Sequence, residues 1–276
     1  MPDLFPISSD QRARFDARGV LRLPGLLSGE RVRRALAHVH DRLERLGLWR
    51  DGAWRLGERP RPQWPDNGLT VSKAIDNRHP DLAALTQEPA LLAAVDALLD
   101  GRAVERELFK RPQVLISLPN IDAWTVPTGW HADAPRLASG RRPGVQLFGF
   151  LDTVAPGGGG TLVLAGSHRL LNAGRVIHAK DLRRLLSREA TLRELYDDAP
   201  GGAADRARLL GPAGSVGEVE IEVEELTGAP GDAYLIDLRV LHAVAPNAAE
   251  RPRLMITQRF WCADVMAELD AAHDWR

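Results

Sequence analysis

From Ala103 onward the sequence breaks into short strand-like segments separated by glycine and proline. Residues 108–118, 125–130, 145–151, 161–164, 218–226, 233–236 and 254–261 are rich in apolar and β-branched residues and end at turn formers. A chain of many short strands buries its apolar faces by stacking two sheets or by closing on itself. A sandwich, barrel or jelly roll is therefore expected.

The first hundred residues have a different texture. Ser8-Ser9-Asp10 offers an N-cap for a short helix through Phe15, which Gly19 ends. Residues 20–24 alternate as a short strand. From Ser28 a second helix sets Val32, Leu36, Val39, Leu43 and Leu46 at helical spacing, which makes one core face. Its arginines are interleaved with Asp41 and Glu44, so the opposite face is expected to be solvated rather than bound to nucleic acid, and His38 and His40 with it. Residues 51–67, rich in Gly, Pro, Arg and Trp, read as an irregular loop, with Trp49, Trp54 and Trp64 in or beside it. Residues 69–73 read as a strand. Residues 80–85 and 89–99 read as helices, each opened by a proline. Further on, 179–198 is a charged helical insertion carrying Leu182, Leu185 and Leu186, and 199–217 a Gly/Ala-rich mobile loop. The expected organisation is one domain over 1–276: residues 1–102 a mostly helical brace, and 103–262 a jelly-roll core with the insertion near 179–198.

Composition narrows the chemistry. A formal net charge of -1 provides no field to recruit nucleic acid or an anionic membrane. The single cysteine, Cys262, excludes an internal disulfide and any multi-thiolate metal site, so a metal must be held by His, Asp or Glu. Residues 1–10 lack the basic and apolar regions of a signal peptide, and no apolar run approaches the ~18 residues of a membrane span. A cytoplasmic protein acting on a small molecule, with no nucleic-acid or membrane partner, is expected.

The candidate ligands begin in Gly129-Trp130-His131-Ala132-Asp133-Ala134-Pro135. In an extended segment, side chains at i and i+2 share a face, so His131 and Asp133 converge. Of the eight histidines, His38 and His40 lie on the basic helix, His79 precedes a proline and His273 lies in the tail, which leaves His131, His168, His178 and His242. His242 follows a turn and a short strand far along the chain, where a rolled sheet can bring it opposite the HxD pair. Two histidines and one carboxylate on one face of a metal form the facial triad of non-haem Fe(II) oxygenases. Arg253, eleven positions after His242, is placed to clamp a carboxylate, with Arg251 close enough to compete.

Four segments in this order resemble the phytanoyl-CoA dioxygenase family of Fe(II)/2-oxoglutarate oxygenases. They are 15–28, the tryptophan-led 130–133, the glycine-led strand 159–168 ending in Ala165-Gly166-Ser167-His168, and 241–247 followed by Arg253. Ala165 stands where the family usually has proline. The resemblance runs from Phe15 to about Trp261. It implies a double-stranded β-helix, a jelly-roll barrel braced by N-terminal helices. It also implies Fe(II) on His131, Asp133 and His242, and 2-oxoglutarate on Arg253 with help from Thr161, Thr128 and Lys73. Phe148 would lie beside the co-substrate, and His168 and His178 would be structural or loop residues. The activity implied is hydroxylation of a C–H bond, with O2 consumed and succinate and CO2 released. Asp133 matters because related halogenases replace that carboxylate with a small residue. Trp130, Arg136 and the Trp-rich loop are candidate substrate walls. The alternative is a jelly roll that binds metal without 2-oxoglutarate, or without catalysis.

Overall fold

The structure, a computed structural model, describes residues 7–56, 69–105, 112–119, 124–170, 176–196 and 206–272. Ser8 caps the first helix, α1 (Ser9–Arg18): its hydroxyl accepts the Gln11 N–H, and the Gln11 side chain accepts the Ser8 N–H in return. Gly19, at φ 70°, ends α1 and turns the chain into β1 (Val20–Leu23). A Cβ there would lie 2.5 Å from the His168 imidazole, so this turn needs glycine twice over. Helix α2 (Gly29–Arg45) buries Val32, Val39 and Leu43 of the predicted stripe together with Ala35, while Leu36 and Leu46, also predicted, are half-buried against the core. After it come β2 (Trp49–Arg50), β3 (Ala53–Trp54), α3 (Leu69–Ala74), α4 (Pro80–Thr86) and α5 (Pro89–Leu98).

The β half contains β4 (Val104–Glu105), β5 (Gln113–Ser117), β6 (Gly144–Phe150), β7 (Thr161–Ala165), β8 (Gly211–Val216), β9 (Val219–Glu225), β10 (Ala233–Asp237), β11 (Leu241–Val244) and β12 (Arg253–Cys262). Between β7 and β8 lie α6 (Ala179–Leu186) and α7 (Ala190–Arg193), and α8 (Met266–Ala271) follows β12. Apart from the β2–β3 hairpin, the described strands form two antiparallel sheets. The larger has six strands in the order β1-β10-β6-β12-β4, with β5 also on β12; the smaller is β11-β7-β9-β8. The arrangement is a jelly roll, as expected.

Side-chain alternation sorts the apolar residues into three layers. Val145, Leu147, Leu235, Leu254 and Ile256 point outward from the larger sheet into the core shared with α2, α4 and α5. Leu162, Leu164, Leu241 and Ala243 point outward from the smaller sheet onto Leu182, Leu186 and Leu192 of the helical insertion. Phe148, Phe150, Val163, Tyr234, Ile236 and Met255 fill the lumen between the sheets.

Several local expectations are overturned. Residues 69–73 are not a strand but helix α3, which packs on β5 through Ser72: its hydroxyl accepts the Ile116 N–H at 2.8 Å. Residues 125–130 form no strand. Within the predicted loop 51–67, residues 53–54 pair with 49–50 as a hairpin in which Trp49 and Trp54 meet edge to face at 5.4 Å. His38 and His40 are not simply solvated, since they stack on His79 and Trp49 at 3.7 and 3.8 Å. Within the predicted loop 199–217, residues 211–216 are β8, paired with β9. Trp64, His273, residues 108–111 of the first predicted strand, and residues 197–205 at the junction of the insertion and that loop lie outside the described residues.

Candidate metal centre

Residues 124–137 have little regular structure and are held at a few points. His131 and His242 form an antiparallel bridge, His131 N–H to His242 carbonyl at 3.0 Å and His242 N–H to His131 carbonyl at 2.7 Å. The Leu238 carbonyl accepts the N–H groups of both Asp133 (3.1 Å) and Ala134 (3.0 Å). The HxD segment is thus clipped to the turn and strand that carry the third residue.

That turn is pinned in its own right. Asp237, fully buried, accepts from Arg239 (Nε 2.8 Å, Nη2 2.7 Å) and from Arg142 (Nε 2.9 Å). Burial opposes its ionisation, but the two guanidiniums and the nearby His168 hold its carboxyl well below the usual range. Arg142 continues to Asp16 on α1 at 2.8 Å. The Ser167 hydroxyl accepts the Leu241 N–H at 2.9 Å, so the predicted glycine-led motif supports β11 directly. His168 gives its Nε2 to the Asp16 carbonyl (3.1 Å) and serves structure; burial pushes its pKa down to about 4.

Together these restraints place one ligand atom from each of His131, Asp133 and His242 within 4.8 Å of one another. The protonation pattern is informative. His242 Nδ1 lies 3.1 Å from the Val240 carbonyl, so its proton is on Nδ1 and the Nε2 lone pair points inward. Burial pushes the His242 pKa down to about 4, so the ring is neutral near pH 7. Its Nε2 sits 3.8 Å from Asp133 Oδ2. Burial opposes ionisation of Asp133, but the Arg259 guanidinium, doubly hydrogen-bonded to it, holds its carboxyl below the usual carboxylate value. Two lone-pair donors facing each other at that distance repel unless a cation lies between them. The donor set, two imidazoles and one carboxylate, suits Fe(II). Phe148 lies beside it, its ring 6.0 Å from that of His242.

At the start of β12 is Arg253, buried, with Nη1 donating to the Gly159 carbonyl at 2.7 Å and Nε without a partner. Burial pushes its pKa down to about 10, against the pull of nearby Glu225. Gly159, at φ 77°, is required here, because a Cβ would press on Asn247 and on the Ser117 hydroxyl. Ser117 is directly opposite Arg253 in the β5–β12 pairing, and its buried Oγ also lacks a partner. A buried guanidinium N–H and a buried hydroxyl, both unpaired on one wall, fit a carboxylate ligand. Thr161 is buried on the lumen side of β7, two residues from Gly159. Arg251 faces outward and pairs with Asp152, so Arg253 is the arginine that reaches the lumen.

Other predicted site residues lie elsewhere. Lys73 is exposed on α3. Trp130 is buried against the helical insertion, with its indole N–H on the Leu195 carbonyl at 3.1 Å. Arg136 donates to the carbonyls of His168 (2.7 Å) and Leu170 (3.0 Å), and with Ala132, Ala134 and His178 it lines a small cavity on the side of the segment away from the ligands. Trp130 and Arg136 therefore tie the segment to its surroundings. Thr128 is half-buried, and its carbonyl accepts the Trp130 N–H. Sequence reasoning missed Ser117 and Arg259. Arg259 was detectable: counting by twos from Arg253 puts it on the same face of one strand. Ser117 was not, because only the β5–β12 register reveals it.

The family model for phytanoyl-CoA dioxygenase matches residues 15–255. The chain belongs to the phytanoyl-CoA dioxygenase family. The cofactors of this oxygenase family are Fe(II) and 2-oxoglutarate, used with O2, and the two ends of the lumen fit them. Among solved structures, the chain is similar to the 2-oxoglutarate-dependent carbocyclase SnoK from nogalamycin biosynthesis, at 17% identity and TM-score 0.56, over 93% of this chain and 84% of that one. It is also similar to EctD from S. alaskensis, solved with 2-oxoglutarate and 5-hydroxyectoine, at 18% identity and TM-score 0.56, over 96% and 79% of the two chains. HygX from Streptomyces hygroscopicus, with nickel and 2-oxoglutarate bound, aligns at 15% identity and TM-score 0.52, over 94% and 88%. At these identities the likeness speaks for the fold. No curated protein sequence matches. No helix among the described residues is long and apolar enough to cross a membrane.

Proposed function

We propose that this member of the phytanoyl-CoA dioxygenase family hydroxylates an unactivated C–H bond of a small organic molecule. His131, Asp133 and His242 hold the iron, and Arg253 holds the distal carboxylate of 2-oxoglutarate, helped by Ser117 and Thr161. The observation that carries this reading is the inward lone pair of neutral His242 facing the Asp133 carboxylate at 3.8 Å, with a buried, partly unpaired guanidinium at the other end of the same lumen.

When bound, Fe(II) and 2-oxoglutarate supply the oxidising chemistry, with O2 consumed and succinate and CO2 released. The protein supplies placement. The Val240 carbonyl fixes the His242 tautomer, so the correct nitrogen faces inward. Phe148, Phe150, Val163 and Met255 make the lumen apolar and keep water from the reacting centre. Exposed Val244, on the same strand face as His242, offers an apolar surface at the mouth. The presence of Asp133 disfavours halogenation.

The test is aerobic incubation with Fe(II), ascorbate and 2-oxoglutarate, following succinate. The wild type should turn over slowly without substrate, and His131→Ala or Asp133→Ala should abolish succinate release. Equal release by wild type and variants would overturn the assignment. A screen of small molecules for accelerated succinate release then identifies the substrate.

A further inference from the structure

Arg259 lies on β12, six residues after Arg253 and on the same face. Its guanidinium grips the Asp133 carboxylate with two parallel bonds, Nε to Oδ2 at 2.7 Å and Nη2 to Oδ1 at 2.9 Å. We propose that Arg259 is the positioning residue of the metal centre: it fixes the rotation of the Asp133 carboxylate so that the ligand is set before the metal arrives. This rests on the metal assignment above.

Three observations support the role. First, Asp133 belongs to an irregular segment; its backbone is clipped to His242 and Leu238, but those bonds fix the main chain and leave the rotation of the carboxylate open. Second, Arg259 comes from the longest strand among the described residues, paired to β6 over residues 255–261 and to β5 and β4 on its other edge. A side chain rooted there extends the strand's rigidity to a carboxylate on an irregular segment. Third, the grip is specific. With each carboxylate oxygen on a different guanidinium nitrogen, rotation about the Cβ–Cγ bond breaks both bonds, whereas a lysine would act as a single point charge and permit it. The Asp133 side chain is largely buried, so water cannot replace the lost bonds.

The test uses metal binding rather than turnover. Apo-protein is titrated with Co(II), and affinity and the visible spectrum of the bound ion are recorded for wild type, Arg259→Met and Arg259→Lys. The unfolding midpoint of each apo-protein is measured in parallel. Removing a residue that orients a metal ligand typically costs 10–100-fold in affinity. Arg259→Met should therefore weaken Co(II) binding by at least about tenfold and alter the spectrum, and Arg259→Lys should recover part of the affinity without restoring the wild-type spectrum. Unchanged or tighter binding with an unchanged spectrum in either folded variant would overturn the proposal. If Arg259→Met does not fold, the Arg259→Lys spectrum and affinity decide. Failure of the wild type itself to bind Co(II) would instead overturn the metal site, a distinguishable result.

Discussion

Arg253 and Arg259 leave β12 on the same face, yet their surroundings have opposite electrostatics. Arg259 is a quarter exposed and holds a carboxylate with two bonds. Arg253 is buried, donates to one backbone carbonyl and keeps Nε unpaired. Its nearest acid, Glu225, is already committed to the N–H groups of Gly157 and Gly160. A buried cation with so little compensation costs several kcal/mol. Such a cost persists where a ligand repays it on binding. At one end of the strand the fold satisfies the charge itself; at the other it leaves the charge largely uncompensated.

The two ends can be separated by experiment. The largest effect is expected at the turn behind the metal end. Asp237→Asn leaves Arg142 and Arg239 without their shared carboxylate and should lower stability by about 3–5 kcal/mol in urea unfolding. A loss under about 1 kcal/mol would show that backbone bonds alone hold the turn, and that the metal end is less dependent on buried charge than the Arg253 end.

Acid should loosen the same side first. The folded-state pKa of His168 is lowered to about 4, from 6.5 for a free imidazole, by burial, with Arg239 and Arg142 opposing its charge and Asp237 favouring it. Its stabilising contribution is therefore complete above about pH 6.5 and is lost as pH falls toward 4, by up to about 3 kcal/mol. His168→Gln should flatten stability against pH in that window. An equally steep profile in the variant would assign the slope to other groups.

Arg253→Met should weaken 2-oxoglutarate binding to the Co(II)-loaded protein about 100-fold, close to 3 kcal/mol, while leaving Co(II) affinity alone. Calorimetry reads both. A parallel loss of Co(II) affinity would mean that the two ends are not independent. The smallest effect is expected from Ser117→Ala, which removes one hydroxyl beside Arg253 and should raise the 2-oxoglutarate requirement by about fivefold, near 1 kcal/mol. No change would leave the carboxylate pocket to Arg253 and Thr161.

Much of this architecture is legible in one dimension. The stripe on α2, the capping residues of α1, and most of β6, β7, β9, β10 and β12 follow from period and punctuation, because each is set by residues close in sequence. The misreadings have a common physical cause. Residues 69–73 have strand-like composition but become α3, because Ser72 and Val71 find a packing site on β5. Residues 125–130 look extended and apolar, but Trp130 and Val126 are drawn into the helical insertion rather than into a sheet. Trp130 and Arg136 flank the ligands in sequence and face away from them in space, since proximity along the chain does not say which side of a segment meets the lumen.

By itself the sequence determined the candidates for holding a metal and a carboxylate: His131, Asp133, His242 and Arg253 follow from residue type, spacing and motif order. Tertiary structure decided everything that depends on what lies across the barrel. It made His242 neutral through burial, set its tautomer through the Val240 carbonyl, paired Ser117 with Arg253 through strand register, and brought Arg259 onto Asp133 from 126 positions away. Charge state and orientation are properties of surroundings, and in a rolled antiparallel sheet those surroundings come from distant parts of the chain.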